Sequence, residues 1–169
     1  MDQLNDIREI YFQKGFFSYR FFVSHQTAEI LGFIKCFSNN PICCIPAMVC
    51  LGDQNLKITS IAKGAFARSP YLKKINYEEN SNLEIIKNSA FIECSNLEEL
   101  DLPKSVKAIE EQVFCSCDLL TKITIEEGSC IVPQLLSKDW SFQVMDKPIL
   151  YKMIFSKINS SKYTLVPDF

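Results

Sequence analysis

Eight cysteines and a single histidine carry most of the chemistry open to this chain of 169 residues. The cysteines are Cys36, Cys43, Cys44, Cys50, Cys94, Cys115, Cys117 and Cys130. Structural zinc needs paired thiolates at C-x₂-C spacing or histidines to complete the set. Cys43-Cys44 and Cys115-x-Cys117 lack that spacing, and His25 is the only imidazole, so no metal is expected. A Ser-His-Asp or Cys-His arrangement would have to use the same His25. No G-x-G-x-x-G or G-x-x-x-x-G-K-[ST] phosphate loop occurs, so no nucleotide cofactor is expected. The adjacent acids Glu98 and Glu99 lie in an extended stretch. Their side chains point to opposite faces unless the chain bends, which suits paired acid-base work poorly. The residues therefore point away from catalysis. The thiols read best as small buried hydrophobes, with disulfides as the alternative in an oxidising compartment.

The cysteines also reveal the elements that must position them. Cys36, Cys94 and Cys117 each follow a phenylalanine by three positions (Phe33, Phe91 and Phe114). A longer skeleton, A/V-F-x-x-S/C-x-x-L-x-x-I/L-x-hydrophobic, occurs three times, from Ala65 to Tyr77, Ala90 to Leu102 and Val113 to Ile125. Phe66, Phe91 and Phe114 are 25 and 23 residues apart. A period in the twenties marks a leucine-rich solenoid, in which each repeat forms one coil and stacks on the next. Within a coil, Lys74–Tyr77, Glu99–Leu102 and Lys122–Ile125 alternate polar and apolar residues, as half-buried strands do. A second extended piece carries Ile58–Ile61, Leu83–Ile86 and Val106–Ile109. The four residues between it and each phenylalanine have room for one tight helical turn. Stacking then places Phe on Phe, Leu72 on Leu97 on Leu120, and Ile61 on Ile86 on Ile109.

At these residues the chain resembles the BspA-like (Treponema pallidum-type) leucine-rich repeats, whose pattern is roughly L-x-x-I-x-L-P-x-x-V-x-x-I-G-x-x-A-F-x-x-C. Cys94–Ile109 follows it closely, as does Ile58–Phe66. Departures are Ala62, Lys87 and Glu110 at the glycine position, Ser69 at the cysteine and Val113 at the alanine. Gly32-Phe33-Ile34-Lys35-Cys36 looks like Ala90-Phe91-Ile92-Glu93-Cys94. Residues 32–58 thus read as a degenerate fourth coil with Gly52-Asp53-Gln54-Asn55 looped out. The expected fold is an α/β-type repeat: a solenoid of three to four coils over 32–126, with short parallel strands and short helical or 3-10 turns. Irregular caps are expected over 1–31 and 127–169, the second with a short helix at Pro133–Trp140.

Composition bounds the function. A net charge of −2, with basic and acidic residues interleaved, gives no phosphate-binding stripe, so nucleic acid is not an expected partner. The aromatic stretch Phe16–Phe37 contains Arg20, His25, Glu29 and Lys35 and makes a poor membrane span. The first residues lack the apolar core of a signal peptide, which reads as cytosolic. The resemblance instead implies a cell-surface antigen or adhesion protein. Superposed coils bring opposite charges together at four positions: Lys73 with Glu98, Lys74 and Lys122 with Glu99, Glu84 with Lys107, and Lys87 with Glu110. Such pairs serve register and solubility. Glu98, Glu99, Asp101, Lys74 and Lys122 also form the candidate contact surface for a protein partner. The insertion at Glu78–Asn82 is a lesser candidate, and Asn159-Ser160-Ser161 is a glycosylation sequon that matters only on a secreted chain. The leading expectation is a non-enzymatic interaction module. The alternative is an intracellular scaffold or a divergent fragment of a longer array.

Overall fold

The structure, a computed structural model, describes residues 9–34, 39, 41–126, 129–130, 142–144, 147–149, 151–154 and 162–167. Cys36, the Pro133–Trp140 segment and the sequon lie outside these residues. An antiparallel meander comes first: β1 (Glu9–Lys14), β2 (Phe17–Phe22) and β3 (Thr27–Phe33). β4 (Ile42–Ile45) follows, then a hairpin of β5 (Met48–Leu51) and β6 (Gln54–Ile61). The repeated strands are β7 (Lys74–Tyr77), β8 (Ile85–Ile86), β9 (Glu99–Leu102), β10 (Ala108–Ile109) and β11 (Lys122–Glu126). β12 (Phe142–Val144) and β13 (Lys147–Ile149) form a separate two-stranded sheet, and β14 (Tyr151–Ile154) and β15 (Lys162–Pro167) complete the set.

Two sheets run along the stacking direction. The first has the order β1-β2-β3-β6-β8-β10, with β5 attached to β6. The second has the order β14-β15-β11-β9-β7-β4. Pairing between neighbouring repeats is parallel and in register: Ile61 opposite Ile86, Ile86 opposite Ile109, Lys74 opposite Glu99 and Glu99 opposite Lys122. The strands at Lys74–Tyr77, Glu99–Leu102 and Lys122–Ile125 fall where the alternation places them. The second extended piece is paired over only two residues in β8 and β10.

The turns differ from expectation: among the described residues there is no helix, α or 3-10. The stretch from Gly64 through Arg68 carries two left-handed residues, Gly64 (φ 65°) and Arg68 (φ 57°), on either side of Phe66. Ser89 and Glu93 flank Phe91 in the same way, as do Gln112 and Ser116 around Phe114. A left-handed residue every four positions prevents a right-handed helix from propagating. Hydrogen bonds show what replaces it. Gly64, Phe66 and Arg68 donate their amides to Asn88, Ala90 and Ile92 of the next repeat, at 3.1, 2.8 and 2.8 Å. The intervening Ala65 and Ala67 amides close local turns onto Ala62 and Gly64. The same alternation recurs one repeat later, where Phe91 donates to Val113 at 3.0 Å and Glu93 to Cys115 at 2.8 Å.

The ends also differ from the irregular caps expected. Glu9–Phe33 forms regular antiparallel strands, and β3 turns parallel where it meets β6, with Ile30 opposite Ile61. Gly32, at the position alanine holds in Ala90, has φ +137° and a backbone so close to Ala65 that a Cβ would lie 2.2 Å from the Ala65 carbonyl oxygen. Only glycine fits there. Phe33 packs edge-on against Phe66 at 4.9 Å, and Ile45 of β4 lies opposite Tyr77. The looped-out turn is confined to Gly52 and Asp53, because Gln54 and Asn55 pair with β5 as part of β6. At the other end, β15 joins β11 antiparallel.

Between the sheets the repeated side chains stack like on like. Phe66 lies on Phe91 with centroids 5.1 Å apart and rings 4° from parallel, and Phe91 on Phe114 at 5.7 Å and 7°. Leu72, Leu97 and Leu120 are buried alongside, with Ile61, Ile86 and Ile109 on the other side. Phe91 is fully enclosed between two rings, so nothing can collapse into the space it would leave. Phe91→Ala should cost about 3–5 kcal/mol, the usual range for truncating a buried aromatic. A urea denaturation midpoint equal to wild type would remove Phe91 from the core.

Candidate functional site

The outward face of the second sheet carries the candidate contact residues. Just before each of its strands the chain bends: the amides of Lys73 and Lys74 both donate to the Pro41 carbonyl, and those of Glu98 and Glu99 both donate to Lys73. Thr121 and Lys122 repeat the motif onto Glu98. The bend lets consecutive residues face solvent together. Glu98 and Glu99 are therefore both accessible, and each meets its own lysine. The Lys73 ammonium lies 3.9 Å from Glu98. Glu99 sits between Lys74 at 2.8 Å and Lys122 at 3.6 Å. The hydrogen bond from Lys74 holds the Glu99 carboxyl below the usual carboxylate range, and Glu99 in turn raises Lys74. Asp101 lies opposite Thr124 in the neighbouring strand and has no ion pair among the described residues. The five candidates thus share one surface, with three of them locked in a Lys-Glu-Lys row.

Of the other charge pairs, Lys107 and Glu84 meet at 2.7 Å. Lys87 and Glu110 do not pair. Glu110 instead accepts the Asn88 amide at 2.8 Å, while Lys87 reaches Glu29 at 2.6 Å. The insertion Glu78–Asn82 keeps Glu78, Glu79 and Asn80 exposed and is anchored at both ends: Glu78 accepts the Ala47 amide at 3.0 Å and Asn82 donates to the Ala47 carbonyl at 3.3 Å. Arg68 and Glu93, two of the left-handed turn residues, pair at 2.9 Å on the exposed turn side.

Of the described cysteines, Cys43, Cys94 and Cys117 are buried, Cys115 is half-buried, and Cys44, Cys50 and Cys130 are exposed. Cys94 and Cys117 are buried and donate to the carbonyls of Phe66 and Phe91 at 3.2 and 3.1 Å. Cys117 is pushed up by its hydrogen bond with Cys94 and then by burial, and burial pushes up Cys43 as well. A thiol so raised is not a nucleophile at neutral pH. His25 lies exposed in the β2–β3 turn, its Nδ1 2.8 Å from the hydroxyl of the adjacent Ser24. Among the described residues no three metal-ligating side chains converge. Among the described residues no helix is long and apolar enough to cross a membrane.

In the sequence Glu29 is only a charge inside an aromatic stretch, yet its carboxylate is fully buried. It accepts hydrogen bonds from the Arg20 guanidinium of β2 and, at 3.0 Å, from the Ser60 hydroxyl of β6, and it pairs with Lys87 just beyond β8. Burial acts to raise its pKa, but hydrogen bonds from Lys87 and Arg20 outweigh burial and hold it below the ordinary carboxylate range. One side chain therefore ties the meander to two successive repeats. A bulge at Ala28/Glu29 in the β3–β6 pairing marks the site in the backbone, but no pattern in the sequence marks it.

Residues 53–136 match the BspA type leucine rich repeat region, in six copies. Curated proteins include no match to the chain. A leucine-rich repeat protein from Bacteroides ovatus is 30% identical over 66% of this chain and 28% of its own length, with a TM-score of 0.58. One from Bacteroides capillosus is 20% identical over 69% of this chain and 98% of its own, with a TM-score of 0.49. The pneumococcal vaccine antigen PcpA is 22% identical over 71% and 39%, also with a TM-score of 0.49. The chain spans little more than a quarter of the Bacteroides ovatus protein, at 28% of its length.

The Glu29 cluster yields a pH-dependent prediction. Because the folded carboxyl titrates below the unfolded value of about 4.3, its contribution is complete above that pH and is lost as pH falls through the folded value. Glu29→Gln should destabilise by about 2–3 kcal/mol at pH 7, less than a wholly buried pair because Arg20 and Lys87 keep some solvent. The gap from wild type should narrow below about pH 4. Urea titrations at pH 7 and pH 3 measure it, and equal midpoints at pH 7 would sink the assignment.

Proposed function

Over residues 53–136 the chain is a BspA-type leucine-rich repeat protein, and on that premise we propose that it is a non-enzymatic protein-interaction module. Its solenoid, in this reading, comprises three to four coils over 32–126, the degenerate one begun by Phe33 and β4, with caps over 1–31 and 127–169. A repeat of this kind presents rows of side chains on rigid strands, which suits recognition of another protein's surface. The observation that carries the reading is the outward face of the second sheet. There Lys74, Glu99 and Lys122 form a fixed row, Glu98 extends it, and Asp101 stands beside it without an ion pair among the described residues.

The row is close to neutral, so it favours a partner that matches a pattern of alternating charge over one that is simply basic. Such exposed pairs contribute only about 0–1 kcal/mol each to stability, so exchanging them changes recognition more than folding. A role at a cell surface, which the family resemblance implies, is the finer form of this reading. The second reading, an intracellular scaffold, is favoured by the mutual compensation of the charges, which leaves little net field to attract a partner.

Charge reversal separates them. A protein captured by the full chain from host or cell extracts should lose about five- to tenfold in affinity, roughly 1–1.4 kcal/mol, with Glu98→Lys/Asp101→Lys, while the melting temperature stays the same. Equal capture by wild type and variant would remove this face from the function. Surface labelling of the tagged full-length protein in its own cell supports the adhesion form, and a purely internal signal supports the scaffold.

A further inference from the structure

β1 ends the first sheet, and among the described residues no strand lies along its outer edge. It has six residues, against four in β4 and β14 and two in β10, the other strands that end the two large sheets. The hairpin decides which main-chain groups face that edge. Gly15 and Phe16 form a two-residue turn between β1 and β2, with Gly15 at φ 57° as the first position of a type II′ turn requires. Such a turn is closed by a hydrogen-bonded pair, here Lys14 with Phe17. The far side of β2 agrees: the Ile34 amide donates to the Phe16 carbonyl at 2.9 Å, which leaves the Phe17 main chain to β1. Antiparallel ladders alternate, so Lys14, Phe12 and Ile10 direct their main-chain groups to β2. The amides and carbonyls of Glu9, Tyr11 and Gln13 point to the open edge, and among the described residues they meet no hydrogen-bond partner.

Folds that stay monomeric blunt such an edge with a proline, a bulge or a charge in mid-strand. β1 has none of these. Its six pairs with β2 run without interruption, and its two charges, Glu9 and Lys14, stand at its ends. Its middle is Ile-Tyr-Phe-Gln, rich in residues that favour strands. Ile10 is 43% exposed and Tyr11 62%, the most accessible of the large apolar side chains among the described residues. Phe12 stacks on Tyr19 at 5.1 Å, which sets Ile10 and Phe12 on the core side of the sheet and Glu9, Tyr11 and Gln13 on the outer side.

This edge matches itself. A two-fold axis normal to the sheet keeps each face continuous, so residues that meet across it must lie on the same face. Centred on Tyr11, the axis sets Tyr11 opposite Tyr11 of the second copy and Glu9 opposite that copy's Gln13. All three outward residues then find hydrogen-bonded partners. On the core side Ile10 falls opposite the second copy's Phe12, an aliphatic–aromatic pair of the kind that stabilises sheets. Within β1 no like charges meet, and the Glu9 carboxylate is held by the Tyr11 hydroxyl at 2.8 Å and Arg20 at 3.5 Å. Moving the axis to Phe12 would leave Glu9 opposite Gly15 of the turn. We propose that this chain forms a two-fold dimer through β1, joining the first sheets of two copies into one antiparallel sheet. The interface is separate from the outward face of the second sheet and does not depend on that face's role.

Two six-residue strands bury less than the about 1,200–2,000 Å² of a stable interface, so the dimer exchanges with monomer. Sedimentation equilibrium of the full chain, reduced so that the exposed Cys44, Cys50 and Cys130 form no cross-links, should show that equilibrium in the micromolar range. Amide exchange followed by NMR should show the Glu9, Tyr11 and Gln13 amides gaining protection as concentration rises. Those of Ile10, Phe12 and Lys14 should be protected throughout by β2. Tyr11→Pro removes an outward amide without touching the β2 ladder, and Ile10→Lys sets a charge in the apolar pair. Each should raise the dimer dissociation constant by about tenfold or more. Ile10→Lys lies at an exposed position, so the melt of its diluted monomer should match wild type, which keeps the test independent of strain from proline. A chain monomeric at every concentration overturns the proposal. So does a dimer that both variants leave equally tight, or one that forms without protecting the three outward amides. Protection of those amides at every concentration assigns the edge to another segment of the same chain and likewise overturns it. Growth beyond the dimer overturns the closed two-fold.

Discussion

Main-chain hydrogen bonding from each repeat to the next is the constraint on which everything else in this molecule depends. A strand of two to five residues, such as β8 or β11, has no partner within its own repeat. Its amides and carbonyls point along the stacking direction and must be met by the neighbouring repeat. That requirement fixes register residue by residue, since a slip of one position would turn every side chain to the wrong face. Phe66, Phe91 and Phe114 therefore stack almost parallel, and Lys74, Glu99 and Lys122 form one row on the outside. The core and the polar surface are two readings of the same set of hydrogen bonds.

The turns obey the constraint as strictly as the strands. Around Phe66, alternate amides go to the next repeat and the remainder close locally, which the paired left-handed residues make possible. A helical turn would have directed all of these amides back into the same repeat. It would have left a gap in the ladder on that side of the solenoid. The phenylalanine still points inward, so the inference that it lies in the core holds even though the local conformation does not match the one expected. Buried polar groups are placed under the same rule: the Cys94 and Cys117 thiols each find a carbonyl of the preceding repeat.

A stack of this kind must end somewhere, and its ends are where the repeat stops being informative. At the meander end, parallel pairing gives way to antiparallel strands, and Glu29 joins them to the stack through Ser60, Lys87 and Arg20. A buried carboxylate gains stability only when its partners are complete. Here all three come from different strands or turns, so the cluster forms only once the meander has docked. The two caps extend different sheets, β1 and β2 the first and β14 and β15 the second, so each end of the stack is finished by a different face.

The sequence alone determined the repeating part: the strands at Lys74, Glu99 and Lys122, the three inward ladders, and the pairings of Lys73 with Glu98, Lys74 and Lys122 with Glu99, and Glu84 with Lys107. These were legible because stacking converts a constant spacing along the chain into a contact in space. Only the tertiary structure decided that Lys87 turns to Glu29 and not to Glu110, that Glu78 and Asn82 clamp Ala47, and that the phenylalanines ride on left-handed turns. Those contacts join residues with no shared period, and their partners are set by where β3 and β4 dock against the stack. No local pattern encodes that geometry, because it exists only after the repeats have formed.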